Sequence, residues 1–233
     1  MKSEAIDYFG GLGSPIVRAK ARVSLWARRR MYSLFEREFR PGPEDTVIDV
    51  GVTPDETLAD SNAFERFYPH PDRITATSFE DASNLERVFP GLRFVRTSGA
   101  GLPFDDGSFT FAYSSAVLEH VGDEEAQRAF VREIMRVADA FFIAVPNRWF
   151  PIEVHTVLPL LHWLPKRWHR AALRRLGRDF WAREENLNLL GPRALRRLFP
   201  DEVGVRIHRH RLLGFTSNIV AYGRSVRPGP TGG

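Results

Sequence analysis

The sequence predicts an α/β protein: a doubly wound, mostly parallel sheet of seven strands, with an N-terminal helix before it and a helical cap inserted late. Three observations carry this. Strand-like and helix-like stretches alternate from Thr46 to Asn147, as in a parallel sheet whose crossovers are helices. The rhythm then breaks at Arg148, in a segment rich in tryptophan and proline. It resumes as one helix and two strand-like runs, which would close the sheet antiparallel. The chain is expected to divide into an N-terminal helical segment (1–43), a core (44–147), a cap (148–190), a C-terminal helix with closing strands (191–226) and a disordered tail (227–233).

The elements follow in order. From Pro15 to Phe39, Val17, Leu25, Trp26, Tyr32, Leu34 and Phe35 recur at helical spacing with arginines between them. Pro41-Gly42-Pro43 ends that helix. "TVIDV" reads as the first strand and "DETLADSNAFERF" as a short helix. "RITATS" is a strand, "EDASNLERVF" a helix and "LRFVRT" a strand. "SFTFAYSS" is a strand, "DEEAQRAFVREIMRVA" an amphipathic helix and "AFFIAVPN" a strand. After the cap, "GPRALRRLF" is a helix, and "VRIHRHRLL" and "SNIVAYGRS" are the closing strands.

At 233 residues, 43% hydrophobic and 27% charged, the composition is that of a globular protein with one sizeable core. There is no cysteine, which excludes disulfides, zinc-thiolate sites and cysteine nucleophiles, and fits a reducing cytoplasm. No signal peptide is read at the N-terminus, and no apolar run approaches the roughly 18 residues that span a bilayer. The net charge is +4, nearly all from arginine; the lysines are Lys2, Lys20 and Lys166. The arginines cluster in "RAKARVSLWARRR" and "PKRWHRAALRRLGR". These are either solvated helix faces or surfaces for phosphate-bearing or membrane partners.

The turn after the first strand, "DVGVTPDE", carries Asp49 and a single Gly51. Thr53, Pro54 and Glu56 have the spacing of a capping box with proline at N1, so a helix is expected to start there. Strand, tight turn and helix start is the Rossmann-like arrangement in which a nucleotide cofactor lies at the end of the first strand. Asp55 and Glu56 would repel a pyrophosphate at that helix end. A cofactor without phosphates and with a cationic centre, such as S-adenosylmethionine, meets no such objection.

From about Thr46 to Asn147 the chain resembles class I S-adenosylmethionine-dependent methyltransferases, of the subgroup that modifies small molecules, sugars and lipids. The resemblance rests on "LPFDDGSFTFAYSSAVLEHV" (Leu102 to Val121) and on "ADAFFIAVPN", which is similar to that family's fifth strand with its Pro-Asn end. The family's first motif has three alternating glycines; here Thr53 and Asp55 stand at the other two positions. Where the second strand would end in an acid, this chain has Ser78, then Glu80 and Asp81. After the third strand it has Ser98 and Gly99. The resemblance implies S-adenosylmethionine as cofactor, contacted by Asp49, Gly51, Thr53, Ser78, Glu80, Ser98, Gly99 and Ser115.

His155 and His120 are the candidate bases, with Glu153 and Glu119 as possible partners; an imidazole suits removal of a hydroxyl proton. His155 is otherwise a surface residue at the base of the cap, and His120 a structural residue at the sheet edge. His208 and His210 share one face of a strand, but no third ligand is evident, so an exposed strand pattern and no metal is expected. Trp149, Trp163, Trp168 and Trp181 are expected in the core. Rival signatures are missing: none of the three lysines has the tyrosine of a short-chain reductase, and there is no P-loop Gly-Lys and no Gly-x-Ser-x-Gly elbow. "YSSAV" replaces the Asn/Asp-Pro-Pro-aromatic signature of base- and amine-methylating relatives, and no nucleic-acid-binding module is recognisable.

The resemblance therefore implies methylation of a hydroxyl, or of a carbon, on a small-molecule, sugar or lipid-linked acceptor. Peripheral contact with the inner face of the membrane would run through the Arg/Trp-rich helices. The alternative is a methyltransferase-like domain without catalysis, serving as a binding or scaffold subunit.

Overall fold

The computed structural model describes residues 15–97 and 101–226, and the side chains from 21 onward. The expected disordered tail, Ser98 and Gly99 lie outside the described residues. Seven strands form one sheet: β1 (Val47–Val50), β2 (Ile74–Ser78), β3 (Arg93–Arg96), β4 (Phe109–Ser115), β5 (Ala138–Pro146), β6 (Arg206–Leu212) and β7 (Phe215–Arg224). Their order is β3-β2-β1-β4-β5-β7-β6. β1 to β5 are parallel, and β7 pairs antiparallel with both β5 and β6. The order reverses between β1 and β4, so the carboxyl ends of these two strands open the crevice in which such sheets take ligands.

Both faces are covered. On one lie α1 (Pro15–Phe39) and the five-residue α2 (Ala63–Phe67). Met31, Tyr32, Phe35 and Phe64 pack there on Val47, Ala76, Tyr113 and Phe142. Phe35 is fully buried and meets Phe64, Phe111, Tyr113 and Phe142 edge-on, with ring centroids 5.5–5.9 Å apart, a preferred aromatic geometry. On the other face lie α4 (Glu124–Val137) and α6 (Pro192–Arg197), whose Val131, Ile134 and Leu195 pack on Ile48, Ala112, Phe141 and Ile143. β5 thus feeds both layers, Phe142 and Ala144 one way and Phe141 and Ile143 the other, by the period of two along a strand.

α4 starts where its sequence says. The Asp123 carboxylate accepts the Ala126 amide at 2.9 Å, and Glu124 and Glu125 occupy the first turn. From its last turn Arg136 reaches back to the "LPFDD" turn. It donates to the carbonyls of Leu102 and Phe104 (2.9 and 2.8 Å) and to Asp106, braced by Glu133. The most specific part of the family resemblance is therefore a structural clamp.

Several expectations are corrected. No helix starts at Pro54. The Thr53 hydroxyl accepts the Asp55 amide at 3.3 Å, but Asp55 collects the amides of Thr57 and Leu58 and the hydroxyls of Thr57 and Ser61. Asn62, in the left-handed region, donates to the Thr53 carbonyl and accepts the Thr53 amide. Side chains that satisfy the backbone locally compete with a helix and win here. Glu56, the intended capping partner, binds Asn84 and Arg87 instead. The helix read in "EDASNLERVF" shrinks to α3 (Leu85–Val88). His210 is buried beside Trp26, with ring centroids 5.4 Å apart, so its strand face is covered by α1. Of the four tryptophans expected in the core only Trp181 is buried; Trp149, Trp163 and Trp168 are exposed.

In the segment expected to form a cap, a 3-10 turn (Leu161–Trp163) and α5 (Lys166–Arg175) accompany a small core of Leu173, Trp181, Ala182, Leu187 and Leu189. Among the described residues no helix is long and apolar enough to cross a membrane.

Candidate functional site

At the end of β1 the chain turns at Gly51 with φ +102°. The Gly51 and Val52 amides both donate to the Thr77 carbonyl, at 2.8 and 3.1 Å, so the turn is tied to β2. A Cβ on Gly51 would fall 2.9 Å from Val117 Cγ1 and closer still to Cγ2. Val117 sits there because Ala116 (φ +61°) swings the chain back after β4. Val117 thus covers the turn, and the 3-10 turn Leu118–His120 follows directly.

Beside this turn, the Asp49 carboxyl is buried against that of Glu65 on α2. Burial and then the Glu65 charge push Asp49 well above the ordinary carboxylate range, and burial also raises Glu65; one shared proton reconciles two such groups. Arg28 of α1 lowers both, and its guanidinium donates to the Ser115 hydroxyl at 3.3 Å. Arg28 belongs to a cluster that its composition leaves open as a solvated face. Nothing in the local pattern marks it, because its partner is 87 residues away.

The end of β2 is more open. Ser78 is buried and its hydroxyl accepts the Glu80 amide at 3.3 Å. Phe79 is 62% exposed, an apolar platform between a hydroxyl and a carboxylate. These groups suit a nucleoside: the ring for the base, and Glu80 for paired hydroxyls. Of the expected cofactor contacts, Ser78, Glu80 and Ser115 stand at the open strand ends. Asp49 and the Thr53 backbone are committed to other protein groups.

The two candidate histidines come together. His155 and His120 meet Nε2 to Nε2 at 3.1 Å, with their rings perpendicular. His120 Nδ1 donates to the Asn186 carbonyl at 2.7 Å, and His155 Nδ1 donates to Glu153 at 2.6 Å. Glu153 is nearly fully buried. Burial works to raise its carboxyl, but His155, by hydrogen bond and charge, and the Thr156 hydroxyl hold it down to about 2. Its oxygens also accept the His155 and Thr156 amides. Trp181 lies against His155 at 5.1 Å between ring centroids and against His120 at 6.2 Å. Glu119, 0% exposed, has one oxygen 3.9 Å from His120 Nε2.

The sequence nominates both histidines and both acids but not their convergence, nor Asn186, which belongs to the unremarkable run "EENLNLL". That run is a hub: Asn188 donates its amide to the Glu119 carbonyl and its side chain to the Gly122 carbonyl, and Lys166 donates to it. The clustered Asn186 and Asn188 between charged and apolar residues are the only available signal.

Residues 71–140 match the family described as a methyltransferase domain. No curated protein matches the chain. Among solved structures, magnesium protoporphyrin IX methyltransferase from Synechocystis, with bound S-adenosylhomocysteine, is 15% identical with a TM-score of 0.57; the alignment covers 94% of this chain and 91% of that one. The N-methyltransferase NodS from Bradyrhizobium japonicum, also with S-adenosylhomocysteine, is 12% identical with a TM-score of 0.53, covering 86% and 87%. The CurJ carbon methyltransferase is 10% identical with a TM-score of 0.53, covering 82% and 51%.

Proposed function

We propose that this chain, a class I S-adenosylmethionine-dependent methyltransferase by its fold and its family match, methylates a hydroxyl of a small-molecule, sugar or lipid-linked acceptor. S-adenosylmethionine supplies an electrophilic methyl group on a sulfonium centre. Ser78, Phe79, Glu80 and Ser115 would hold it, offering an aromatic face, a carboxylate and hydroxyls at the strand ends. The turn at Gly51 contributes shape rather than donors, since its amide is committed to Thr77.

The observation that carries the reading is the histidine pair. With Nδ1–H held by Glu153, neutral His155 presents a lone pair at Nε2. A hydroxyl there gives its proton to that nitrogen, and His120 Nε2 shares it. The Glu153 carboxylate, ionised throughout the neutral range, balances the imidazolium. Trp181 packs beside the pair. The lipid-linked variant is supported by the cap surface: Val157, Leu160, Trp163, Leu164, Trp168 and Leu176 are all exposed, between exposed arginines.

The test is methyl transfer from radiolabelled S-adenosylmethionine into lipid and sugar extracts, with calorimetric titration of S-adenosylhomocysteine alongside. His155→Ala is expected to lower transfer at least about 100-fold, with the S-adenosylhomocysteine Kd within about twofold of the parent. Unchanged transfer removes His155 as the base. No heat with millimolar S-adenosylhomocysteine would favour the scaffold reading instead.

A further inference from the structure

We infer that Glu119, His120 and His155 form a binding site for one divalent transition-metal ion of the zinc class. One ligand atom from each of the three lies within 4.8 Å of the other two. In a tetrahedral site with bonds of about 2.0–2.2 Å, ligand atoms sit about 3.3–3.5 Å apart; the two imidazole nitrogens already stand at 3.1 Å, and the Glu119 carboxylate must move in by about an ångström.

Three features point to a cation. First, each imidazole has its Nδ1–H fixed by an oxygen, His120 by the Asn186 carbonyl and His155 by Glu153. That outer-shell arrangement is the one that orients metal-ligating histidines and sets their tautomer. Second, it leaves both Nε2 lone pairs facing each other at 3.1 Å. Two neutral acceptors repel at that distance, whereas two ligands on one ion sit comfortably there. Third, Glu119 is fully buried, and neither carboxylate oxygen has a hydrogen-bond partner among the described residues. A buried carboxylate without partners is strongly unfavourable. A proton shared by the imidazoles would relieve the second conflict, but it would leave both Glu119 oxygens without a donor. An ion relieves both.

Two nitrogens and a carboxylate oxygen suit zinc and its neighbours rather than calcium or magnesium. The side chains of His120 and His155 keep 29% and 14% of their exposure, so a fourth position stays open. There an acceptor hydroxyl would bind the ion and lose its proton to water; because both Nε2 atoms are then ligands, the ion replaces His155 as the activating group. This deepens the hydroxyl-transfer reading and rests on it for its purpose, but ion binding is measured without any acceptor.

The experiment uses the full chain, stripped with chelator and titrated with zinc chloride by calorimetry and with cobalt(II) by visible absorption. One equivalent of zinc is expected per chain, with cobalt bands of four-coordinate intensity. Glu119→Gln and His155→Asn should each weaken zinc binding at least tenfold, while His208→Asn leaves it unchanged. His155→Asn, at a side chain that is not fully buried, serves if Glu119→Gln fails to fold. Less than a fifth of an equivalent bound, or equal affinity in parent and variants, overturns the site. S-adenosylhomocysteine titrated into the same stripped protein reports on the methyltransferase reading separately, so either can fail alone.

Discussion

Gly51→Ala should destabilise the protein before any cofactor is added. The new Cβ would fall 2.9 Å from one methyl of Val117 and nearer still to the other, at φ +102°. The backbone term costs about 1–3 kcal/mol for a side chain in a sparsely populated region. The overlap costs about another 1–3 kcal/mol, because a β-branched neighbour has few rotamers to escape into. Loss of glycine's freedom in the unfolded chain returns about 0.4–1 kcal/mol. The net is a loss of about 1–6 kcal/mol against a typical total of 5–15 kcal/mol. Adding Val117→Ala removes both clashing methyls and leaves only its Cβ, 3.1 Å away. The double variant should recover the overlap part, about 1–3 kcal/mol, and leave the backbone part. Urea unfolding of the parent, both single variants and the pair measures this, with constant m-values as the check. If Gly51→Ala lies within 0.5 kcal/mol of the parent, or the two changes add within about 0.5 kcal/mol, Val117 does not seat against the turn. The glycine would then serve only the approach of a ligand.

Glu65→Gln should flatten the pH dependence of stability. Asp49 and Glu65 are both raised in the folded state, so the unfolded chain releases their protons first, and the parent loses stability as pH climbs above the ordinary carboxylate range. That loss is about 1.4 kcal/mol per unit of upward shift. The variant should gain on the parent from pH 5 to pH 8 in urea melts, and parallel curves would refute the shared proton. At the cap, co-sedimentation with anionic vesicles should fall with salt and weaken when the exposed Arg174, Arg175 and Arg178 become Glu. Protein that stays in the supernatant at low salt would point to a soluble acceptor. Arg170 is the wrong residue for that test, since Glu184 holds it at 2.7 Å.

What the sequence by itself determined is the layered frame. The strands of "TVIDV", "SFTFAYSS" and "AFFIAVPN" and the helices at Pro15–Phe39 and Glu124–Val137 fall where the local pattern puts them. Hydrophobic period and cap chemistry act over a few residues, and at these places nothing distant opposes them. The two histidines and their acids were legible as residue types, because imidazole and carboxylate are scarce and chemically distinct. The turn after β1 departs from its local pattern, although its chemistry is local: the Thr53-Pro54-Glu56 spacing favours a helix start, but Asp55 and Asn62 offer the same backbone competing bonds. Which set wins depends on Asn84 and Arg87 drawing Glu56 away from 28 and 31 residues distant. Tertiary structure alone decided the site. His120 meets His155 across 35 residues and Asn186 across 66, and Arg28 reaches Ser115 across 87. No periodicity encodes such separations, because they arise only when the cap and α1 fold back over the carboxyl edge of the sheet.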